Sequence, residues 1–310
     1  MKSPGAVPDG IVPIRKSPGM TSHDVVERVR RLLGVRAGHT GTLDPAASGV
    51  LPVALGEATK LSRWLSASAK RYRARVVLGV ATDTLDAAGR EVERAPVPSL
   101  SDADIENGCA RFTGDIQQTP PMHSAVRVGG RRLYQLARRG IEVERPPRTV
   151  RIERIALVER DRDSFVIDVR CSSGTYIRAL AADMARALGT VGHLAELERT
   201  EAAGFTLEQT VPPSDAETMR GAIEPLERVV RRFRHLEVPR DVLLPLSRGR
   251  EPVLEDLTRL GFDGSDGQPV VLIPPEEAPL LVVGVDPQAA ERRLRVLRVL
   301  RPEPAAKARS

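Results

Sequence analysis

The sequence lacks long apolar runs and lacks any spacing typical of metal sites or disulfides. No stretch approaches the roughly 18 apolar residues of a membrane helix, and the polar, Pro/Gly-rich N-terminus does not resemble a signal peptide. The only two cysteines, Cys109 and Cys171, show no paired spacing, which favours a reducing compartment. The five histidines are scattered without metal-ligand spacing. These absences predict a soluble, cytoplasmic protein without a metal site.

Aromatic residues are also scarce, at 3% of the 310 residues. Two of the three tyrosines, Tyr72 and Tyr176, nevertheless lie close to arginine in the sequence. Unpaired nucleic-acid bases are held by stacking on aromatic rings, with arginine supplying phosphate and cation–π contacts. Packing of each ring in the core is the alternative interpretation. The residues by themselves leave both open.

Lysine is rare, with five among the 47 basic residues, yet the formal charge is +6 and the pI about 9.8. This balance favours a polyanionic partner, nucleic acid before membrane. Residues 70–75 place four cations around Tyr72, and we expect Arg75 to contact phosphate. A second group comprises Arg127, Arg131, Arg132, Arg138 and Arg139. Each run could equally be a solvated surface.

The order of predicted elements indicates an α+β fold with a mixed sheet and flanking helices. Ser22 is expected to cap an amphipathic helix that ends at Gly34. Further predictions are strands at 11–14, 73–80, 152–158 and 164–171 and helices at 102–112, 131–139 and 176–188. The absence of regular βαβ alternation argues against Rossmann and TIM architectures.

Composition changes near Val238, where proline and glycine punctuate short apolar strands at 270–273, 280–285 and 294–300. We therefore expect a flexible segment at 1–10, a main domain at 11–237, a small β-rich module at 238–302 and a disordered tail at 303–310.

Residues 38–45, Gly-His-Thr-Gly-Thr-Leu-Asp-Pro, form the most informative segment and are called the Asp44 loop below. The glycines and Pro45 disfavour helix and regular strand, so Asp44 is presented on a short, stiff loop. Such a loop can offer a reactive carboxylate to a large substrate. An Asx turn, in which Asp44 only bonds backbone amides, is the plainer reading.

Motifs in a fixed order resemble those of the TruB family of tRNA pseudouridine synthases over roughly residues 11–210. Beside the Asp44 loop they include Gly-Met-Thr-Ser-His-Asp-Val-Val from Gly19, Arg71-Tyr72-Arg73, Pro-Pro-Met-His-Ser-Ala from Pro120, and Cys-Ser-Ser-Gly-Thr-Tyr-Ile-Arg from Cys171. The resemblance implies isomerisation of uridine 55 in the tRNA T-loop to pseudouridine, without metal or organic cofactor. It also implies the pseudouridine synthase fold with a C-terminal PUA-like RNA-binding module, acting as a monomer on the T-arm without an obligate protein partner or a membrane.

The resemblance further implies roles for seven residues. Asp44 matches the catalytic aspartate, Arg178 the arginine that pairs with it, and Tyr72 the tyrosine that stacks on the flipped uracil. His39 matches the histidine that fills the space left by that base. Tyr176, Leu197 and Lys16 match further positions that line the substrate.

Several positions depart from the family pattern. Arg15-Lys16-Ser17 stands where Asp-Lys-Pro is usual, and Leu197-Glu198-Arg199 stands where Leu-Arg-Arg is usual. His123 and Arg127 replace the ends of a Tyr-Ser-Ala-Leu-Lys-like motif. We expect activity to survive these changes and tRNA affinity to be altered, unless Glu198 points away from the RNA.

Three other functions are compatible with parts of the sequence. An RNA-folding chaperone with secondary catalysis is the main alternative, and the chain lacks the long basic extensions expected of a guide-RNA-dependent synthase of the dyskerin branch. A glycosidase would need a second acid near the Asp44 loop, and none is convincing.

Overall fold

The computed structural model describes residues 7–124, 126–128, 130–137, 139–141, 143–251, 254–259, 261–262, 269–274, 280–285 and 294–301. The expectations for residues 1–6 and for the tail from 302 onward lie outside these ranges. Within them, no helix is long and apolar enough to cross a membrane.

Strands dominate the fold. They are β1 (Gly10–Lys16), β2 (Ala37–His39), β3 (Ser48–Leu55), β4 (Lys70–Leu78), β5 (Val80–Thr82), β6 (Glu91–Arg94), β7 (Gly114–Gln118), β8 (Arg127–Val128), β9 (Arg131–Arg132), β10 (Arg148–Arg160), β11 (Ser164–Cys171), β12 (Gly192–Ala202), β13 (Phe205–Thr206), β14 (Glu224–Pro225), β15 (His235–Glu237), β16 (Val270–Ile273), β17 (Leu280–Val285) and β18 (Leu294–Leu300).

The helices are shorter elements placed between strands. They are α1 (Ser22–Leu33), α2 (Ser62–Ala67), α3 (Asp102–Arg111), α4 (Leu133–Ala137), α5 (Ile177–Ala187), α6 (Ala216–Gly221), α7 (Leu226–Val230), α8 (Arg240–Ser247) and α9 (Leu254–Arg259), with 3-10 turns at Gly56–Leu61 and Leu207–Gln209. Helix α1 ends as predicted, because Gly34 adopts the left-handed conformation. Its N-cap is Thr21 rather than Ser22, since the Thr21 side chain and Asp24 form a reciprocal capping box.

A 10-stranded sheet forms the main body, in the order β14-β1-β3-β12-β4-β11-β10-β7, with β2 on β3 and β13 on β12. Within this sheet, the pairing of β12 with β3 is parallel and the other pairings are antiparallel. The predicted mixed, largely antiparallel sheet with flanking helices is therefore confirmed.

The two faces of β4 have opposite character. Its buried positions alternate with exposed ones, so Tyr72, Ala74 and Val76 point to one side and Arg71 and Arg73 to the other. The first side, called the inner face, packs against α1 and α5 in the largest apolar cluster. The other side, the outer face, carries charged residues on β4, β11 and β12.

A smaller 4-stranded sheet, β15-β16-β17-β18, forms the C-terminal module. It begins at His235, slightly before the boundary expected at 238, because β15 pairs in parallel with β16. Apolar residues of this module such as Val271 and Ile273 share one buried cluster with Ile11 and Val50 of the main sheet. The module therefore shares an apolar cluster with β1 and β3, and its β18 contacts the 3-10 turn at Gly56–Leu61, where Lys60 Nζ donates to the Val299 carbonyl at 3.1 Å.

Candidate active site around the Asp44 loop

The Asp44 loop connects β2 to β3 and is held by backbone contacts as well as by its own sequence. The Ser22 side chain at the start of α1 bonds the amide and the carbonyl of Leu43. The amide of Ala47 donates to the Asp44 carbonyl at 3.0 Å, which closes a turn directly after the acid. Asp44 thus sits at a fixed point above the inner face, with its side chain 44% exposed.

Arg178 brings the opposite charge to this point. It lies in the first turn of α5 with a side chain only 6% exposed, and its Nη1 is 3.9 Å from the Asp44 carboxylate. Its Nη2 donates to the carbonyl of His123 at 2.6 Å. The expected Asp44–Arg178 pair is therefore formed, and the guanidinium is buried while the carboxylate remains open to a ligand.

A second carboxylate, Asp86, shares the same guanidinium and was not identified from the sequence. Its Oδ2 lies 3.3 Å from Arg178 Nη1, closer than Asp44 does. Asp86 is positioned by a turn after β5 in which Leu85 has a positive φ of 65°, and by a bridge to Leu194 of β12. This contact is long-range, so no local spacing could have pointed to it.

Arg199 is a second residue whose role the sequence did not reveal. It is 1% exposed on β12, and its guanidinium donates to three backbone carbonyls: Val50 at 2.8 Å, Gly41 at 3.0 Å and Thr42 at 3.3 Å. Two of these belong to the Asp44 loop. A buried cation therefore anchors the loop, and among the described residues it forms no ion pair with a carboxylate.

The parallel pairing of β12 with β3 is what allows this anchor. Arg199 lies opposite Gly49, which has a φ of +107°. A Cβ at Gly49 would lie 2.2 Å from the Arg199 carbonyl oxygen, so a side chain there would push the strands apart.

Lys16 is also turned toward the loop, but not toward a substrate. It is fully buried, and its ammonium donates to the carbonyls of Ser17, Pro45 and Ala47. Burial lowers the pKa of Lys16 to about 8, with Asp44 acting in the opposite direction. The structure thus indicates a supporting role for Lys16 instead of the substrate contact expected from the resemblance, because all its contacts are with backbone carbonyls.

Tyr72 lies beneath the loop on β4 and is 7% exposed. Burial raises the pKa of its hydroxyl, while Arg199 opposes this shift through its charge and a hydrogen bond. Tyr72 and Arg199 are partners in the β4–β12 register. One guanidinium therefore contacts both the Asp44 loop and the tyrosine expected to meet the base.

The remaining expected residues surround the same point. Leu197 faces Ala74 on the inner face, and Tyr176 precedes α5 with its ring 5.9 Å from the Arg178 guanidinium. His39 ends β2, and burial lowers the pKa of its imidazole. Its Nδ1 is buried without a hydrogen-bond partner in the described part of the chain. The fold thus brings Asp44, Arg178, Tyr72 and Tyr176 into one neighbourhood, in which the side chains of Tyr72 and Arg178 are buried.

Two departures from the family pattern meet on the outer face. Arg15 Nη2 lies 3.3 Å from Glu198 Oε1, so arginine and glutamate here stand in the places where the family usually has aspartate and arginine. The two departures therefore carry opposite charges and pair with each other. Glu198 points away from Asp44, because its neighbours Leu197 and Arg199 occupy the inner face.

Arg75 does not fit the expected phosphate contact. Its guanidinium lies 2.6 Å from Glu159, 3.2 Å from Asp161 and 3.6 Å from Glu196 on the outer face. Strand alternation separates it from Tyr72, although the two are close in sequence. For Arg127, only the backbone lies in the described part of the chain.

The described residues around the Asp44 loop do not include a set of side chains that could bind a metal ion. Among the described residues, no group of three or more His, Cys, Asp or Glu side chains could hold a metal ion. What the site offers is one accessible carboxylate, one buried guanidinium shared by two acids, and a buried tyrosine. Such a set can stabilise positive character at a bound group and accept or transfer a proton.

Known proteins of one family are similar in sequence to this chain. A profile described as TruB family pseudouridylate synthase (N terminal domain) matches residues 30–177. The chain is 52% identical over 205 residues to tRNA pseudouridine synthase B of Symbiobacterium thermophilum, covering 65% of this chain and 69% of that protein. It is 46% identical over 272 residues to the protein of the same name from Heliobacterium modesticaldum, covering 84% and 85%.

A solved structure shows the same fold over nearly the whole chain. The crystal structure of a Cbf5-Nop10-Gar1 complex contains a chain that superposes with a TM-score of 0.71 at 25% identity, covering 96% of this chain and 87% of that one.

Proposed function

The chain belongs to the TruB family of pseudouridylate synthases, and from this premise we propose that it converts uridine 55 in the T-loop of tRNA to pseudouridine. The observation that carries the proposal is the half-exposed Asp44 carboxylate held 3.9 Å from the buried Arg178. We further propose that the enzyme works in the cytoplasm, where tRNA is found.

The reaction breaks the bond between uracil N1 and ribose C1′, rotates the base, and joins C5 to C1′. The proton lost from C5 is balanced by one gained at N1, so no oxidant or cofactor is consumed. A carboxylate serves this chemistry by attacking the sugar or by taking a ribose proton, and both routes need the ionised form. Arg178 places a positive charge 3.9 Å from that carboxylate.

Asp86 adjusts this pair. Because it lies closer to Arg178 than Asp44 does, it holds the guanidinium beside the Asp44 loop and leaves the Asp44 carboxylate without a direct hydrogen bond to it. Tyr72 provides the ring on which the flipped uracil stacks, and His39 fills the space that the flipped base leaves. Filling that space offsets part of the unstacking cost of a few kcal/mol.

The chain acts alone in this proposal. The Cbf5 chain in the solved complex carries protein partners, whereas the bacterial relatives with higher identity are tRNA pseudouridine synthase B proteins. A test with the purified chain and no partner separates these cases.

The experiment uses a T-arm stem-loop carrying tritium at C5 of uridine 55, since forming the C5–C1′ bond releases that hydrogen to water. We expect release by the wild type and none by Asp44→Asn, with RNA binding retained in the variant. Asp161→Asn, which alters an exposed acid on the outer face, is the matched control and should behave as the wild type. Full turnover by Asp44→Asn would refute the role of Asp44, and binding without any release by the wild type would favour the chaperone alternative.

A further inference from the structure

A cavity away from Asp44 lies at the junction of α2, the turn between β12 and β13, and the residues after α7. Its volume is about 330 Å³, and its walls are Trp64, Leu65, Ser68, Ala203, Arg232 and Phe233. This volume is near the lower end for small-molecule sites and suits one flat heteroaromatic group. We call it the Trp64 cavity.

The cavity gathers a large share of the chain's few aromatic rings. The whole chain has one Trp, three Tyr and five Phe. Trp64 and Phe233 are half-buried at the cavity, and Phe205 is buried beside them under the Arg232 guanidinium at 4.1 Å. Large rings left partly open in an aromatic-poor protein point to a surface that meets another planar group.

The rim of the cavity is cationic. The Arg63 guanidinium stacks over the Trp64 ring at 4.6 Å, and no ion pair holds it among the described residues. Arg232 is paired with Glu224 and also donates to the carbonyl of Ala203 at 2.8 Å. Arg63 is therefore available for a phosphate, while Arg232 serves as a wall. Aromatic faces beside free guanidinium groups are the combination that binds unpaired nucleotides.

One wall of the cavity is rigid. Ala203 and Gly204 have φ values of 52° and 76°, and a Cβ at Gly204 would lie 2.8 Å from Arg232 Nη1. A left-handed alanine costs about 1 kcal/mol or more and persists only where its surroundings impose it. The Arg232 contact with the Ala203 carbonyl supplies that constraint.

The buried side chain of Lys70 lies between Ser68 of the cavity wall and the Asp44 loop. The Lys70 ammonium donates to the carbonyls of Ser66 and Ser68 at 2.7 Å. Its Cε lies 3.5 Å from where a Cβ at Gly41 would stand. Ser68 and Tyr72 are four residues apart in the sequence, which is at most roughly 13 Å at ~3.3 Å per residue. Four stacked nucleotides span a similar length at ~3.4 Å each.

We propose that the Trp64 cavity receives one unpaired base of the substrate RNA, other than the uridine that is isomerised. The base stacks on Trp64 and Phe233, and Arg63 contacts its phosphate. This proposal rests on the proposed function, because it takes RNA as the substrate. The basic rim and the position one buried side chain away from the Asp44 loop favour RNA over a protein segment.

Trp64 is the single tryptophan, so its fluorescence reports on the cavity in the unaltered protein. The full-length chain is titrated with a tRNA transcript while binding is followed independently by filter retention. We expect tRNA at saturation to change the Trp64 emission and to protect it from acrylamide quenching. Unchanged emission and unchanged acrylamide access at saturation would overturn the proposal.

Variants test the energetic contribution. Trp64→Leu keeps apolar bulk without a stacking face and should raise KM for tRNA about tenfold, with a smaller effect on kcat. Trp64→Phe should recover most of this loss. Val158→Ala, which alters an apolar side chain 46% exposed elsewhere, is the control and should leave KM unchanged.

The outcomes separate this proposal from the proposed function. Pseudouridine formation with an unaltered KM in Trp64→Leu would overturn the cavity's role and leave the enzyme assignment intact. A change in sedimentation mass of Trp64→Leu with no change in KM would identify a protein as the occupant and would also overturn it.

Discussion

The two faces of β4 carry similar residues and use them differently. On the inner face, Lys70 and the neighbouring Arg199 are buried and bind backbone carbonyls that shape the Asp44 loop and its surroundings. On the outer face, Arg71 and Arg75 are paired with carboxylates in contact with water. A buried cation cannot be removed without leaving its partners unsatisfied, whereas an exposed pair contributes little. The same residue type is thus structural on one face and nearly neutral on the other.

The largest effect should come from Arg199. Arg199→Met leaves three carbonyls around the Asp44 loop without their donor, and we expect the free energy of unfolding to fall by about 3–5 kcal/mol. Arg199→Lys should lose less stability but still lose activity, since one ammonium cannot reproduce the planar contacts. Urea unfolding and tritium release measure the two effects. Arg71→Met is the matched outer-face variant, and a comparable loss there would remove the distinction between the faces.

Lys16 should give the inner face a pH dependence. Its pKa is lowered by burial from 10.5 to about 8, so between these values the unfolded chain binds more protons than the folded one. The contribution of Lys16 to the free energy of unfolding therefore rises with pH, by at most ~1.4 kcal/mol per unit. Unfolding of wild type and Lys16→Met at pH 7 and 9 should show a gain of about 1 kcal/mol or more for the wild type. A stability difference between wild type and Lys16→Met that does not change with pH would contradict the lowered pKa of Lys16.

Arg75 should have a small effect. Because three carboxylates already neutralise it on the outer face, Arg75→Ala should change the free energy of unfolding by no more than about 1 kcal/mol. It should leave tRNA affinity and the salt dependence of binding unchanged. Filter binding across a salt series checks this. A shallower salt slope would restore the phosphate contact expected from the sequence and show that the outer face meets RNA.

The ion pair between Arg15 and Glu198 should give the smallest effect on stability. Arg15→Glu places a second carboxylate against Glu198 and should cost about 0.5 kcal/mol, which Arg15→Glu combined with Glu198→Arg recovers. A double-mutant cycle of urea unfolding gives the coupling energy. A coupling of zero would mean that the two family departures are independent.

Much of the fold followed from local patterns. The alternation over 164–171 predicted β11, and the apolar spacing after Thr21 predicted α1, because both elements bury a face whose period is visible in the sequence. The predicted helix at 131–139 is shorter, with β9 at Arg131–Arg132 before α4. The short strand at Arg131–Arg132 is not evident from helix propensity alone.

Some residues of the site could be predicted from the sequence and others could not. Motif order led to the TruB family, which the comparisons confirm, and it led to Asp44, Tyr72 and Arg178, which the fold brings together. Asp86 and Arg199 were not found, since each meets its partners across a strand pairing far apart in sequence. Arg75 lies on the opposite face of β4 from Tyr72, because alternate residues of a strand point to opposite sides.

The sequence by itself determined the family, the isolated acid of the Asp44 loop and the residue types that surround it, because these are written in short, ordered motifs. Only the tertiary structure decided which cations contact the loop that carries that acid. The parallel pairing of β12 with β3 turns Arg199 inward to the loop and Glu198 outward to Arg15. Burial then converts Lys16 from an expected substrate contact into a support for the backbone.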